Sequence, residues 1–272
     1  MTISIMQIKE MKEKGVKSAA LVVWDAPTAH IAHECGADFL IVGDSVGVNL
    51  WGHSNNLEIT LDDFLVAVKA VRRGAPDALV CADIPYGPVQ IDPTEAVRAA
   101  IRLVQEGGAD LVKIDSAPDF PEAVTAVTRA GVPVFAQMGL SPQSGSKYGI
   151  SIGDLQQPES LVPDEMMEQL IQEALVCEQA GAAMIDLTNA GPVIGAAITD
   201  AVGIPVIGGM GGGPWLDGRI RMFHAAVGYG TKFLDNPPSA YAYTAQTSRD
   251  AVTELLGDIR SGKQIKGGLG RK

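Results

Sequence analysis

Four aspartates in this chain stand where an apolar run gives out: Asp25 closing "SAALVVWD", Asp44 closing "LIVGD", Asp83 within "DALVCADIP" and Asp115 within "GADLVKIDS". A carboxylate delivered to the rim of a buried strand is costly unless something pairs with it. Where several such carboxylates converge they repel one another, and a hard divalent cation such as magnesium among them offsets that repulsion. Lys113 lies two residues before Asp115, so on a strand it shares that face and is placed to meet an anionic substrate group. The competing reading is that each aspartate only caps the turn or helix that follows its strand.

The elements that must carry these residues follow from a recurring phrase. "GADFLIVGDS" (36–45), "GADLVKIDS" (108–116) and "GAAMIDLTN" (181–189) each open with Gly-Ala after an amphipathic stretch, and each continues as a short apolar run. A glycine ending a helix and a run short enough for a strand buried on both faces make the helix-to-strand half of a βα unit. Looser copies at 131–138 and 203–210, with runs at 18–25 and 77–85, bring the candidate strands to seven, and 223–230 is a candidate eighth. Helical patterns lie between them, among them 60–74 and 92–108, where Asp92 is placed to cap and Pro93 to open the first turn. Eight such units predict a TIM (β/α)8 barrel, with a doubly wound open sheet as the other arrangement. No composition break marks a boundary, so a single domain over 1–272 is expected, with a short basic tail from about 260.

Composition narrows the function classes. A chain of 272 residues with 46% hydrophobic content can bury a large core. A formal charge of −11 argues against general nucleic-acid or anionic-membrane binding, both of which need basic patches. Cys35, Cys81 and Cys177 are odd in number, far apart and without a CxxC pair, so neither a disulfide framework nor a structural zinc site is indicated. With no signal-like start and no eighteen-residue apolar stretch, a soluble cytoplasmic protein is expected.

The motifs also carry a resemblance. "VGDSVG", Gly52-His53, "AVRRGAP" (70–76), "ADIPYG" (82–87), "VKID" (112–115), "GLSPQS" (139–144) and "IPVIG" (204–208) occur in the order seen in the ketopantoate hydroxymethyltransferase family, over about residues 5–225. That resemblance implies a TIM barrel that binds Mg2+ and a 2-oxo acid, forms an enolate, and adds a one-carbon unit from methylenetetrahydrofolate. It implies Asp44 and Asp83 as metal ligands, with Asp115 where the family has glutamate, one methylene shorter and reaching the metal through water. It further implies that Ser45 and Lys113 hold the substrate carboxylate, beside Asp83, and it places His53 in a matched loop as a candidate substrate contact. The residue types suit the chemistry independently. A 2-oxo acid chelated through its carboxylate and keto oxygen becomes acidic at C3, because the cation stabilises the developing enolate oxygen.

Three departures qualify the resemblance. Gln137 stands where the family has histidine and can hydrogen-bond but carries no proton at neutral pH. Thr188 stands where the family places its general-base glutamate, and a threonine hydroxyl cannot be that base. Asp186, two residues earlier, should face the same side roughly 6–7 Å deeper, and is the candidate base, with Thr188 holding a relay water. The alternative is that Asp186 simply pairs with a buried lysine. The segment 144–157 lacks the family's glycine-rich, basic lid pattern, so substrate selection there is expected to differ.

Three functions stay open: hydroxymethylation of 3-methyl-2-oxobutanoate or a related 2-oxo acid, a folate-independent aldolase or C–C lyase of the phosphoenolpyruvate mutase/isocitrate lyase type, and a silent paralogue. Retained, mutually repelling carboxylates count against the last. The partners expected are a small-molecule 2-oxo acid and copies of the chain itself, as a homo-oligomer. Weaker features are the glycine run 208–214, readable as an anion site or as tight turns, and His30 and His33, readable as a solvated helix face.

Overall fold

A computed structural model describes residues 3–141, 143, 164–210, 212–231, 234–235 and 239–267. Eight parallel strands close into a barrel in chain order: β1 (Ser18–Val22), β2 (Phe39–Val42), β3 (Val80–Asp83), β4 (Leu111–Ile114), β5 (Val134–Gly139), β6 (Met184–Thr188), β7 (Val206–Gly208) and β8 (Gly218–Met222). β8 returns to β1, from Ser18 opposite Gly218 to Val22 opposite Met222. This is the TIM barrel, and closure excludes the open sheet.

Seven strands fall on their expected runs, β5 reaching one residue past its run to Gly139. The eighth does not: 223–226 is a helical turn, and β8 is the preceding "GRIRM". Arg219 and Arg221 are exposed on its outer side while Gly218 and Ile220 are buried, so the segment alternates instead of running apolar. Such a pattern is that of a half-buried strand; β1 alternates in burial too but keeps an apolar sequence, whereas β8 places arginines at its exposed positions.

The surrounding helices start where capping residues stand. Asp92 accepts from the backbone N–H of Thr94 and Glu95 at 2.7 and 2.9 Å, and opens the helix Pro93–Gln105, which buries Ala96, Ala99, Ala100 and Leu103. Thr60 caps the helix Leu61–Gly74, whose Phe64, Leu65, Val68 and Val71 turn inward. Asp25 caps the helix Ala26–Glu34 by accepting from Thr28 N–H at 2.8 Å. Of the four strand-end aspartates, Asp25 therefore follows the capping reading. Inside the barrel, Phe39 of β2 and Phe135 of β5 meet edge to face with ring centres 6.0 Å apart, both fully buried. They floor the interior, and the polar residues stand above them, toward the strand ends.

The chain divides into two compact units. Residues 1–222 hold the whole barrel. Residues 223–272 carry the helical turn Phe223–Ala226 and a helix, Thr244–Ser261, that buries Ala245 and exposes Val252, Leu255, Leu256 and Ile259. The expected basic tail begins inside that helix, and 268–272 lie outside the described residues.

Candidate active site

Alternation along each strand decides which side chains enter the barrel. Register sets Asp83 of β3 opposite Lys113 of β4, and Gln137 of β5 opposite Asp186 of β6. Lys113 Nζ lies 3.2 Å from Asp83 Oδ1 and 3.4 Å from Asp186 Oδ2, so one ammonium bridges carboxylates from two other strands. Asp83 Oδ2 accepts the Asp44 N–H at 3.1 Å, which ties β3 to the turn after β2. Asp83 Oδ1 and Asp186 Oδ1 are buried with no hydrogen bond, although the former is ion-paired.

Asp44 and Asp115 are held by amides and hydroxyls. Asn56 Nδ2 donates to Asp44 Oδ1 at 2.6 Å and Gln143 Nε2 to Asp44 Oδ2 at 2.9 Å. Asp115 Oδ1 accepts from the Ser116 hydroxyl at 2.9 Å and from the Ser141 hydroxyl, and its Oδ2 accepts the Gln143 N–H at 3.2 Å. Ser116 sits at φ 54° and Asn189 at φ 56°, left-handed residues just past β4 and β6, where the chain turns sharply off the rim.

The electrostatics follow from burial. Asp44, Asp83, Asp115 and Asp186 are all at least 94% buried, and among the described residues the ammonium that pairs with them is that of Lys113, which reaches Asp83 and Asp186. Burial pushes the Asp83 carboxyl up to about 7 against the pull of Lys113, with Asp44 adding to the rise. Burial likewise raises Asp115 to about 6, against its bond from Ser141, and raises Asp44 and Asp186 above the usual carboxylate range. Burial works to lower the Lys113 ammonium, but Asp83, Asp186 and Asp44 outweigh it and hold it above its ordinary value. Lys113 therefore stays protonated.

The remaining expected residues fall as follows. Thr188 is buried and its hydroxyl lies 2.9 Å from both Met138 O and Leu140 O, so its proton goes to a backbone carbonyl and only its lone pairs remain for a water. Gly139, at φ +88°, lets the backbones of β5 and β6 come close here, since a Cβ there would meet the Thr188 carbonyl oxygen at 2.2 Å. Gln137 is buried on the inner wall. Ser45 is half-buried beside Asp44. His53 packs on Gly47, where a Cβ would lie 2.7 Å from its Nδ1, and edge-on to Trp51, with ring centres 6.2 Å apart. None of the described contacts joins His53 to the carboxylates.

Among the described residues no three acidic, histidine or cysteine side chains converge tightly enough to hold an ion on their own. The expected trio Asp44, Asp83 and Asp115 is thus not a ready-made cage, because Asp115 is engaged by Ser116, Ser141 and Gln143. His30 lies 3.9 Å from Glu34 on an exposed face, as a solvated helix would have it. In the glycine run, Asn189 N–H donates to Met210 O at 2.7 Å, and Gly211 lies outside the described residues, as does 144–163. Asn56, Ser141 and Gln143 were not anticipated. Ser141 and Gln143 sit inside "GLSPQS", while Asn56 carries no local signal.

A closed parallel barrel with an acidic centre at its C-terminal rim is an enzyme scaffold of the TIM type. The ketopantoate hydroxymethyltransferase family model matches residues 2–264, and the chain belongs to that family. It is 37% identical over 264 residues to a 3-methyl-2-oxobutanoate hydroxymethyltransferase from Cyanothece sp., covering 96% of this chain and 97% of that one. A protein of the same name from Geobacillus kaustophilus is 34% identical over 250 residues, 92% of this chain and 87% of that one. Among solved structures, phosphonopyruvate hydrolase in complex with oxalate and Mg2+ superposes with a TM-score of 0.62 at 11% identity, over 99% of this chain and 92% of that one. A 2,3-dimethylmalate lyase gives 0.60 at 16%, over 96% and 88%. Likenesses at such identity establish the barrel fold. By family the chain is a transferase of the hydroxymethyltransferase type, and none of its described helices is long and apolar enough to cross a membrane.

Proposed function

We propose that this chain is a magnesium-dependent enzyme that carries a 2-oxo acid through its enolate and hydroxymethylates it with methylenetetrahydrofolate, on 3-methyl-2-oxobutanoate or a close relative. The observation that carries the reading is the charge imbalance: among the described residues four carboxylates are buried at this rim, Asp83 and Asp186 share the Lys113 ammonium, and Asp44 and Asp115 are held by neutral amides and hydroxyls. Buried like charges are tolerated only if protonated or neutralised. The donor set is all oxygen, which suits a hard cation. Asp44 and Asp83 would hold it, leaving positions for substrate and water. When bound, it supplies positive charge where the enolate oxygen becomes negative.

The chain's own residues do the rest. Lys113 and Ser45 take the substrate carboxylate, and Gln137 offers its amide to a keto or hydroxyl oxygen. Asp186, with one oxygen free of hydrogen bonds and its pKa raised by burial, accepts the C3 proton directly or through one water. C3 then bonds to the one-carbon unit, and the net transfer consumes one water. A second reading, a folate-independent C–C lyase, has one observation in its favour: Thr188 replaces the family's base. The protonated state of Lys113 directs that reading away from imine chemistry and toward the same enolate. We place the protein in the cytoplasm, in keeping with its three free cysteines, and as a homo-oligomer, in keeping with the exposed apolar side chains of Thr244–Ser261.

Solvent deuterium exchange at C3 of a panel of 2-oxo acids, with and without Mg2+, tests the reading. Magnesium-dependent exchange is expected, followed by product formation only when methylenetetrahydrofolate is added. Absence of exchange with every acid would refute the enolate reading, and folate-independent cleavage would replace transfer with lysis.

A further inference from the structure

We infer that Gln143 and Asn56 are positioning residues that aim the Asp44 carboxylate at a divalent cation, an inference that rests on the metal-dependent reading above. Each oxygen of Asp44 is held by one carboxamide: Oδ1 by Asn56 Nδ2 at 2.6 Å, Oδ2 by Gln143 Nε2 at 2.9 Å. The two donors come from different connections, Asn56 from the one after β2 and Gln143 from the one after β5, and both are buried. Gln143 Nε2 also lies 3.4 Å from Ile84 O, so its two N–H groups are directed to protein oxygens and neither is left for substrate. Its backbone N–H donates to Asp115 Oδ2 at 3.2 Å. One residue thus ties carboxylates that follow β2 and β4, on either side of the strand that delivers Asp83.

The donor type matters. An arginine or lysine at 56 or 143 would neutralise Asp44 and compete with a cation for it. A carboxamide donates a hydrogen bond and leaves the negative charge in place. Each Asp44 oxygen keeps a further lone pair, and a carboxylate held at both oxygens presents those lone pairs in one orientation. Partners of this kind around a metal ligand are worth 10- to 100-fold in metal affinity.

The substitution Gln143→Glu separates positioning from direct ligation, because it keeps the shape, removes the donor and adds a charge. If Gln143 served the cation with its own oxygen, Glu would tighten binding; if it acts by donating to Asp44, Glu repels Asp44 and weakens it. Titration calorimetry with Mg2+ alone should show affinity lowered about tenfold or more in Gln143→Glu, and lowered in Gln143→Met and Asn56→Leu. Circular dichroism checks that each variant is folded. A second measurement needs no metal: a thermal-melt cycle of Gln143→Met and Asp44→Ala in EDTA should be non-additive, since the two side chains touch. Parental or tighter Mg2+ affinity in Gln143→Glu, or an additive cycle, overturns the inference while the metal reading stands. A parent chain that binds no Mg2+ overturns both.

Discussion

Lys113→Met should produce a stability defect that grows with pH. Lys113 is the ammonium between Asp83, 3.2 Å away, and Asp186, 3.4 Å away, in a site where all three are buried. Methionine keeps the apolar stem and removes the charge. Removing one partner of a buried pair costs about 3–5 kcal/mol when the other stays charged, but a carboxylate can escape by taking a proton. In the parent, Asp83 has its pKa raised from 3.8 to about 7, so between about pH 4 and pH 7 the folded chain holds a proton the unfolded chain has shed, and stability falls as pH rises through that window. Without Lys113 the pull that lowers this pKa is gone, and the window extends above 7. Past pH 7 the parent curve flattens while the variant keeps losing up to about 1.4 kcal/mol per pH unit. Between pH 7 and 8.5 the gap should widen by about 2 kcal/mol, or about 4–8 °C in Tm for a unit of this size. Thermal melts of both proteins in EDTA from pH 5 to pH 8.5 measure it. Parallel curves would show that Lys113 contributes packing and not charge, and would refute the electrostatic account of the site.

Asp44→Ala and Asp83→Ala should each abolish Mg2+ binding in calorimetry while the circular dichroism of the barrel is kept; parental affinity in both would put the ion elsewhere. Asp186→Asn should retain Mg2+ and 2-oxo-acid binding yet lose C3 proton exchange by orders of magnitude, and Thr188→Glu in that background should recover part of it; exchange at the parental rate would assign the base to another group. Phe39→Ala, which removes a fully buried ring from the barrel floor, should cost about 3–5 kcal/mol in denaturant unfolding, and a loss under 1 kcal/mol would mean that the floor collapses to fill the space.

Much of the scaffold was legible in the chain because its signals are local. A Gly-Ala ahead of a short apolar run marks a helix end and a buried strand, and seven strands lie where those runs are. The cap at Asp92 works through neighbours three residues away or fewer, so the sequence states it outright. β8 escaped because exposed Arg219 and Arg221 interrupt its apolar character, and its place is set by pairing with β1 some 200 residues earlier.

The site divides along the same line. That Asp83, Lys113 and Asp186 enter the barrel follows from strand ends and a two-residue period, which the sequence by itself determines. Which carboxylate meets the ammonium does not, because Lys113 and Asp186 stand 73 residues apart and β5 lies between their strands. Closure alone brings β4 and β6 across one interior. It also separates Asp25, whose carboxylate accepts the Thr28 N–H and hydroxyl of its own helix, from Asp44, which takes amides from Asn56 and Gln143, the latter 99 residues away. The chain dictates that carboxylates arrive at one rim; only the tertiary structure decides which are charged, which are paired and which are left to take a ligand, since those depend on desolvation and on neighbours that no local spacing contains.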